Sequence, residues 1–206
     1  FVATGNDAVN SGLAIWDITT PASAVGLSSF NVSQPVNRVL VSGNYAYLAE
    51  STNGVRIVNV TNKSAPTSTA LINNLGNVSS IALNGNFIYA ASDKGVYVID
   101  ATTPANPTLV SSIATSPVLD INNSYQTVYL SMGAAGFQIL DLGSPNNPVT
   151  LAAVSDGYNY KSSCLYGSYV YFAVGTAGLR VYELIYNYST LSAPTMAATG
   201  TYNNTF

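Results

Sequence analysis

GVRIVNV, residues 54–60, places an apolar side chain at almost every position after an opening glycine, and the pattern returns along the chain. It reads GLAIWD from Gly12, GVYVID from Gly95, GFQILD from Gly136 and GLRVYE from Gly178, with spacings of 42, 41, 41 and 42 residues. A register held over five copies at this period is the mark of a propeller-type repeat. Runs that are apolar on successive residues fit strands buried on both faces.

Working outward, each of the last four glycines follows a strand ending in or near Tyr: GNYAYLA, GNFIYAA, YQTVYLS and GSYVYFA, so that Tyr47, Tyr89, Tyr129 and Tyr171 are equivalent. Turn dipeptides such as Gly43-Asn44 and Gly85-Asn86 reverse a preceding apolar strand into this one. Past the glycine strand, a Ser, Thr, Asn and Pro cluster leads to a fourth strand, around Thr69 to Ile72 or Leu109 to Ile113. The expectation is an all-β fold, a β-propeller or open array of about five four-stranded blades. Its single repeat domain covers 1–206, in units near 1–30, 31–74, 75–115, 116–156 and 157–206.

Phe1 aligns with the Tyr47 position, so the first blade is expected to lack its inner strand. That blade is then completed by a strand from a continuation of the chain or from a neighbouring subunit, because a bare strand edge invites pairing. The chain begins without Met or a basic leader and is read as a mature product or an excised piece.

The motif strands LAIWD, VRIVN, VYVID, FQILD and LRVYE, with GNYAY and the downstream Pro, resemble the LVIVD-repeat β-propellers of bacterial and archaeal surface and secreted proteins. The WD40 repeat is a weaker match: Trp16-Asp17 occurs once and the Gly-His landmark is missing. The resemblance implies a scaffold and carries no catalytic constellation.

Composition narrows the chemistry. Charged residues make up 7% of the 206-residue chain and the net charge is −3, which leaves no basic stripe for nucleic acid. With no His, the Ser-His-Asp and Cys-His arrangements are excluded. A single cysteine, Cys164, cannot form an intramolecular disulfide and reads as strand core. No stretch is apolar over a helical membrane span. No cofactor and no metal are expected. Asn6, Asp7 and Asn10 offer oxygens in an insertion of the first unit, but without the spacing of an EF-hand loop.

Asp17, Asn59, Asp100, Asp141 and Glu183 recur two residues past the motif Ile or Val. Equivalent positions lie a blade apart, so these side chains are assigned to accepting backbone N–H groups in the next turn. A hydrolase reading would draw on loop carboxylates such as Asp120 or Asp156, but no pair is marked. Asn-x-Ser/Thr sequons stand at Asn31, Asn62, Asn77, Asn122, Asn187 and Asn203, with Asn59 the weakest. They exceed only modestly what an Asn-, Ser- and Thr-rich composition places, and their positions between units and in turns favour glycosylation. Nine of the fifteen tyrosines lie from Tyr158 to Tyr202, and Tyr158, Tyr160, Tyr186 and Tyr188 fall off the repeat pattern, which makes them candidate ligand or interface aromatics. The resulting expectation is a non-catalytic extracellular or cell-surface scaffold, a glycosylated subunit or segment of a surface fibre. Its partners would be like subunits or other surface proteins; the alternative is a carbohydrate-binding propeller.

Overall fold

The computed structural model describes residues 2–4, 11–187 and 192–202, with side chains from 11 to 184. Nineteen strands among these residues form five antiparallel sheets, each a meander in chain order. The first blade has three strands, β1 (Val2–Thr4), β2 (Gly12–Asp17) and β3 (Val25–Asn31). The second holds β4 (Arg38–Ser42), β5 (Tyr45–Ala49), β6 (Val55–Asn59) and β7 (Thr67–Ile72). The third holds β8 (Val78–Asn84), β9 (Phe87–Ser92), β10 (Gly95–Asp100) and β11 (Thr108–Ala114). The fourth holds β12 (Asp120–Ser124), β13 (Thr127–Ser131), β14 (Phe137–Asp141) and β15 (Val149–Val154). The fifth holds β16 (Ser162–Tyr166), β17 (Tyr169–Ala173), β18 (Leu179–Asn187) and β19 (Ser192–Tyr202). The fold is the all-β array of blades that the repeat implies, and among the described residues the first blade has no inner strand.

The motif glycine owes its recurrence to backbone geometry. At Gly136, φ is +98°, and a Cβ would fall onto the carbonyl oxygen of Val154 in the outer strand. Gly12, Gly54 and Gly95 meet the same obstacle in their own blades. Only glycine combines a left-handed φ with so close an approach of a neighbouring strand. One further device recurs in all five blades: a register shift between the third and fourth strands, at Ile15/Trp16, Ile57/Val58, Val98/Ile99, Ile139/Leu140 and Val181/Tyr182. Such a bulge increases local twist and turns the outer strand away from the flat sheet.

The core occupies the junctions between consecutive blades. Leu13 and Ile15 of the first blade meet Ala46, Leu48 and Val58 of the second. Tyr47, Val55 and Ile57 of the second meet Ile81, Ile88 and Ile99 of the third. Tyr89, Val96 and Val98 then meet Ile121, Val128 and Leu140, and Phe137 and Ile139 meet Val170, Phe172 and Tyr182. Each middle strand therefore buries alternate residues against the preceding and the following blade, which is why its sequence is apolar without alternation. Burial raises the Tyr89 hydroxyl to about 12, and that hydroxyl finds no hydrogen-bond partner among the described residues.

Candidate functional site

The inner strands bring three unlike residues to equivalent positions. Arg38, Ser80 and Asp120 pair with Ala49, Ala91 and Ser131 at the start of their hairpins, in the second, third and fourth blades. Arg38 Nη1 donates to Ser80 Oγ (3.2 Å) and to Asp120 Oδ1 (2.8 Å), and Nη2 donates to Asn122 Oδ1 (3.0 Å). Ser80 Oγ also donates to Asp120 Oδ1 (2.9 Å). Asn122 Nδ2 donates to Asp120 Oδ2 (2.9 Å) and onward to the Ser163 carbonyl of the fifth blade (2.8 Å). The guanidinium thus spans blades two apart, and four blades share one network. A planar fork with five donors suits this role better than a lysine would. Asp120, considered from sequence as a loop carboxylate, stands on β12 with its charge matched by Arg38.

A second network lies at the junction of the fourth and fifth blades. Tyr160 Oη and Tyr182 Oη share a hydrogen bond at 2.6 Å, and both stand within reach of Asp156 Oδ2 (2.9 and 3.2 Å), which accepts the remaining hydroxyl proton. Arg180 Nη2 stands 3.6 Å from the same oxygen, and its guanidinium stacks 4.0 Å from the Tyr158 ring centroid. Burial first, then the bonds to Tyr182 and Asp156, push the Tyr160 hydroxyl far above the usual tyrosine range. Burial likewise raises Tyr182, against the lowering influence of the Tyr160 bond and Arg180. Asp156 is therefore committed to two hydroxyls and a cation, the arrangement of an interblade pin.

Tyr160 departs from its sequence assignment as an off-repeat aromatic. It occupies the place two residues ahead of Ser162, the one that Val36, Val78 and Val118 fill ahead of Arg38, Ser80 and Asp120, and all four are buried. The Tyr160 N–H donates to Gly133 O (2.9 Å), as Val78 N–H does to Ser51 O and Val118 N–H to Ser92 O. Its ring is therefore core, and Tyr158 is half-buried beneath Arg180. The Tyr186 side chain and all of Tyr188 lie outside the described residues.

The recurring acids cap their turns. Asp17 Oδ1 accepts from Thr19 N–H, Asn59 from Thr61 N–H, Asp100 from Thr102 N–H and Asp141 from Gly143 N–H, at 2.8 to 2.9 Å. The Thr19 backbone bond lowers Asp17, and bonds from the Thr102 side chain and backbone lower Asp100. Glu183 makes no such turn, because β18 continues past it to Asn187. Cys164 lies on β16 as expected but is exposed rather than core, since no described blade covers its side of the sheet. Among the sequons, Asn31, Asn62 and Asn77 are exposed and Asn59 is half-buried. Asn122 has its amide nitrogen engaged in the Arg38 network. Asn187 has no described side chain, and Asn203, Asn6, Asp7 and Asn10 lie outside the described residues. The described residues hold no grouping of three or more acidic, Cys or His side chains fit for a metal ion.

One surface feature went unnoticed in the sequence. In three blades the turn between the first two strands opens on Gly43, Gly85 or Gly167, each with φ between +55° and +59°. The fourth blade has Tyr125 there, at φ +51° and 92% exposed. Beside it is a cleft of 390 Å³ lined by Ser124, Gln126, Thr127, Leu165 and Leu184. The legible signal was the replacement of Gly-Asn by Tyr-Gln at an aligned turn.

Repeated blades, side chains spent on interblade packing and acids spent on turn caps define a repeat scaffold of propeller type. The LVIVD repeat model matches residues 35–73 and 75–115, the second and third blades, so the chain carries two repeats of the LVIVD type. Solved structures share the fold, two designed proteins among them. The computationally designed Ika8 protein superimposes with a TM-score of 0.71 at 11% identity, over 93% of this chain and 55% of that one. The computationally designed Ika4 protein gives 0.62 at 10% identity, over 74% of this chain and 93% of that one. This chain thus spans little more than half the length of Ika8. No curated protein matches the sequence. No described helix is long and apolar enough to cross a membrane.

Proposed function

We propose that the protein is a non-catalytic structural and interaction scaffold outside the cell, glycosylated on its outer surface and built into a surface fibre. The observation that carries this reading is the use of the recurring polar residues: most of the repeated Asp and Asn side chains cap turns, and Arg38, Asp120 and Asp156 tie blades together. Support for glycosylation comes from the exposure of Asn31, Asn62 and Asn77 on a chain with 7% charged residues, whose surface has few other strongly hydrated groups. The test is the intact mass of the native protein before and after glycan removal, with electron microscopy of the same material. A fall in mass and a filamentous assembly are expected. An unmodified mass together with dispersed, closed particles would remove the reading.

A second reading, carbohydrate binding, is favoured by Tyr125. A bulky residue held at positive φ costs about 1–3 kcal/mol, and such strain concentrates at functional sites. An exposed ring beside a cleft suits stacking on a sugar face. Tyr125→Gly is expected to raise stability while abolishing retention on immobilised glycans; equal retention by the variant would count against a lectin role.

A further inference from the structure

The cleft beside Tyr125 marks a junction from which an aromatic ring is missing. The first residue of the second strand pairs with the last of the inner strand: Tyr45 with Ser42, Phe87 with Asn84 and Thr127 with Ser124. In the second and third blades its ring packs into the junction with the following blade. Tyr45 lies against the cluster of Tyr47, Ile81 and Ile88, and Phe87 against that of Tyr89, Ile121 and Val128. The fourth blade has only Thr127 at this place, and its Oγ1 lies 2.8 Å from Ser124 O and 3.2 Å from Tyr129 Oη, so the hydroxyl is spent within the turn. A cleft of 390 Å³ opens there, between the fourth blade and Leu165 and Leu184 of the fifth. Tyr125, two residues earlier, stands at the same cleft with its ring in solvent.

The walls differ in chemistry. Leu165 and Leu184 belong to the apolar cluster of this junction and form one wall. Ser124 and Gln126 bring a hydroxyl and a carboxamide, and no charged side chain lines the space. Sugar hydroxyls turned against the leucines would lose water without gaining a partner, which is costly. An acetamido group meets both walls: its methyl suits the leucines, and its N–H and C=O suit the carboxamide and hydroxyl beside them. We propose that the cleft is a subsite for the acetamido group of a neutral N-acetylated sugar, whose ring stacks on Tyr125. This deepens the carbohydrate-binding reading of Tyr125 and rests on it. The two departures of this turn from the others, Tyr for Gly at 125 and Thr for an aromatic at 127, then serve one ligand: the first supplies the stacking ring and the second makes the recess. An acidic sugar would find no cation among the lining residues.

The probe is N,N′-diacetylchitobiose, with cellobiose as control, because the two disaccharides share their linkage and differ in having an acetamido group or a hydroxyl at one ring carbon. Calorimetric titration and saturation-transfer NMR on the 206-residue chain are expected to show the acetylated disaccharide bound, with its acetyl methyl the most strongly saturated group. Cellobiose should bind at least about 10-fold more weakly. Thr127→Phe installs the third blade's residue and fills the recess; Tyr125→Gly installs the turn residue of three other blades and removes the stack. Each, with an unchanged circular dichroism spectrum, should lose roughly 10-fold or more in affinity for the acetylated disaccharide. Cellobiose bound as tightly as its acetylated counterpart would overturn the acetamido subsite and leave the carbohydrate reading standing. Undiminished binding by Thr127→Phe would overturn it too, by placing the sugar outside the recess. Binding of neither disaccharide would also overturn the subsite, and retention of the wild type and Tyr125→Gly on immobilised glycans then decides separately whether the carbohydrate reading falls with it.

Discussion

Replacing Arg56 by Ala should destabilise the protein by about 3–5 kcal/mol, the cost of stranding a buried charge. The charge is that of Glu50, whose side chain is fully buried where β5 ends. Arg56 grips it through Nε to Oε2 (2.6 Å) and Nη2 to Oε1 (3.2 Å), and Asn53 Nδ2 donates to Oε1 (2.9 Å). Without the guanidinium the carboxylate keeps one side-chain donor in a site closed to water. The other blades show that the pair is not required by the fold. The Glu50 position is filled by Ser92, Met132 or Val174, all buried, and the Arg56 position by Tyr97, Gln138 or Arg180. Transplanting the third blade's solution, Glu50→Ser with Arg56→Tyr, should therefore recover most of the loss, since exchanging both partners removes the orphaned charge. Urea denaturation of the wild type, Arg56→Ala and the double variant decides the matter. A single variant within about 1 kcal/mol of wild type would show that water or relaxation reaches Glu50.

The same comparison between blades explains what the sequence could reveal. Features imposed on every blade by the backbone were visible, because the chain repeats the residue that satisfies them. The motif glycine recurs five times, and in four blades it yields to the outer-strand carbonyl; the polar residue after the motif strand also recurs five times, and four of those five cap a turn. Features that arise between blades were hidden. Arg38, Ser80 and Asp120 occupy one repeat position, yet their chemistry depends on being different, so self-similarity passes over them. Tyr160 took the place of a buried Val, and identity-based alignment left it looking like a free aromatic. Cys164 has a core-type position in the repeat, but its burial depends on a following blade, and no described blade follows. Position within the repeat was legible; neighbours at the ends of the array were not.

Phe137→Ala should produce a loss of comparable size, about 3–5 kcal/mol, and a local one. Phe137 is fully buried on β14 and turned toward the fifth blade, where its ring lies 4.4 Å from Phe172, 5.0 Å from Tyr160 and 5.1 Å from Tyr182, centroid to centroid. Tyr160 and Phe172 also meet edge-on at 5.2 Å, so removing Phe137 takes the central member from a four-ring cluster. Aromatic pairs contribute about 0.5–1.5 kcal/mol each beyond the area they bury, and three are lost at once. In an array whose blades touch mainly their neighbours, stability is close to a sum of blade and junction terms. The fifth blade has only one junction with a described blade, so weakening it should let that blade open while the others stay closed. Hydrogen exchange should show amides of β16, β17 and β18 losing protection by a factor of roughly 100 or more, from the loss expressed as an equilibrium, while β8, β9 and β10 keep theirs. The Tyr160 and Tyr182 hydroxyls, held protonated by burial, should ionise at lower pH in the variant as water reaches them. Protection falling equally in all five sheets would mean that the array unfolds as one body, and that the junctions are not the units in which its stability is divided.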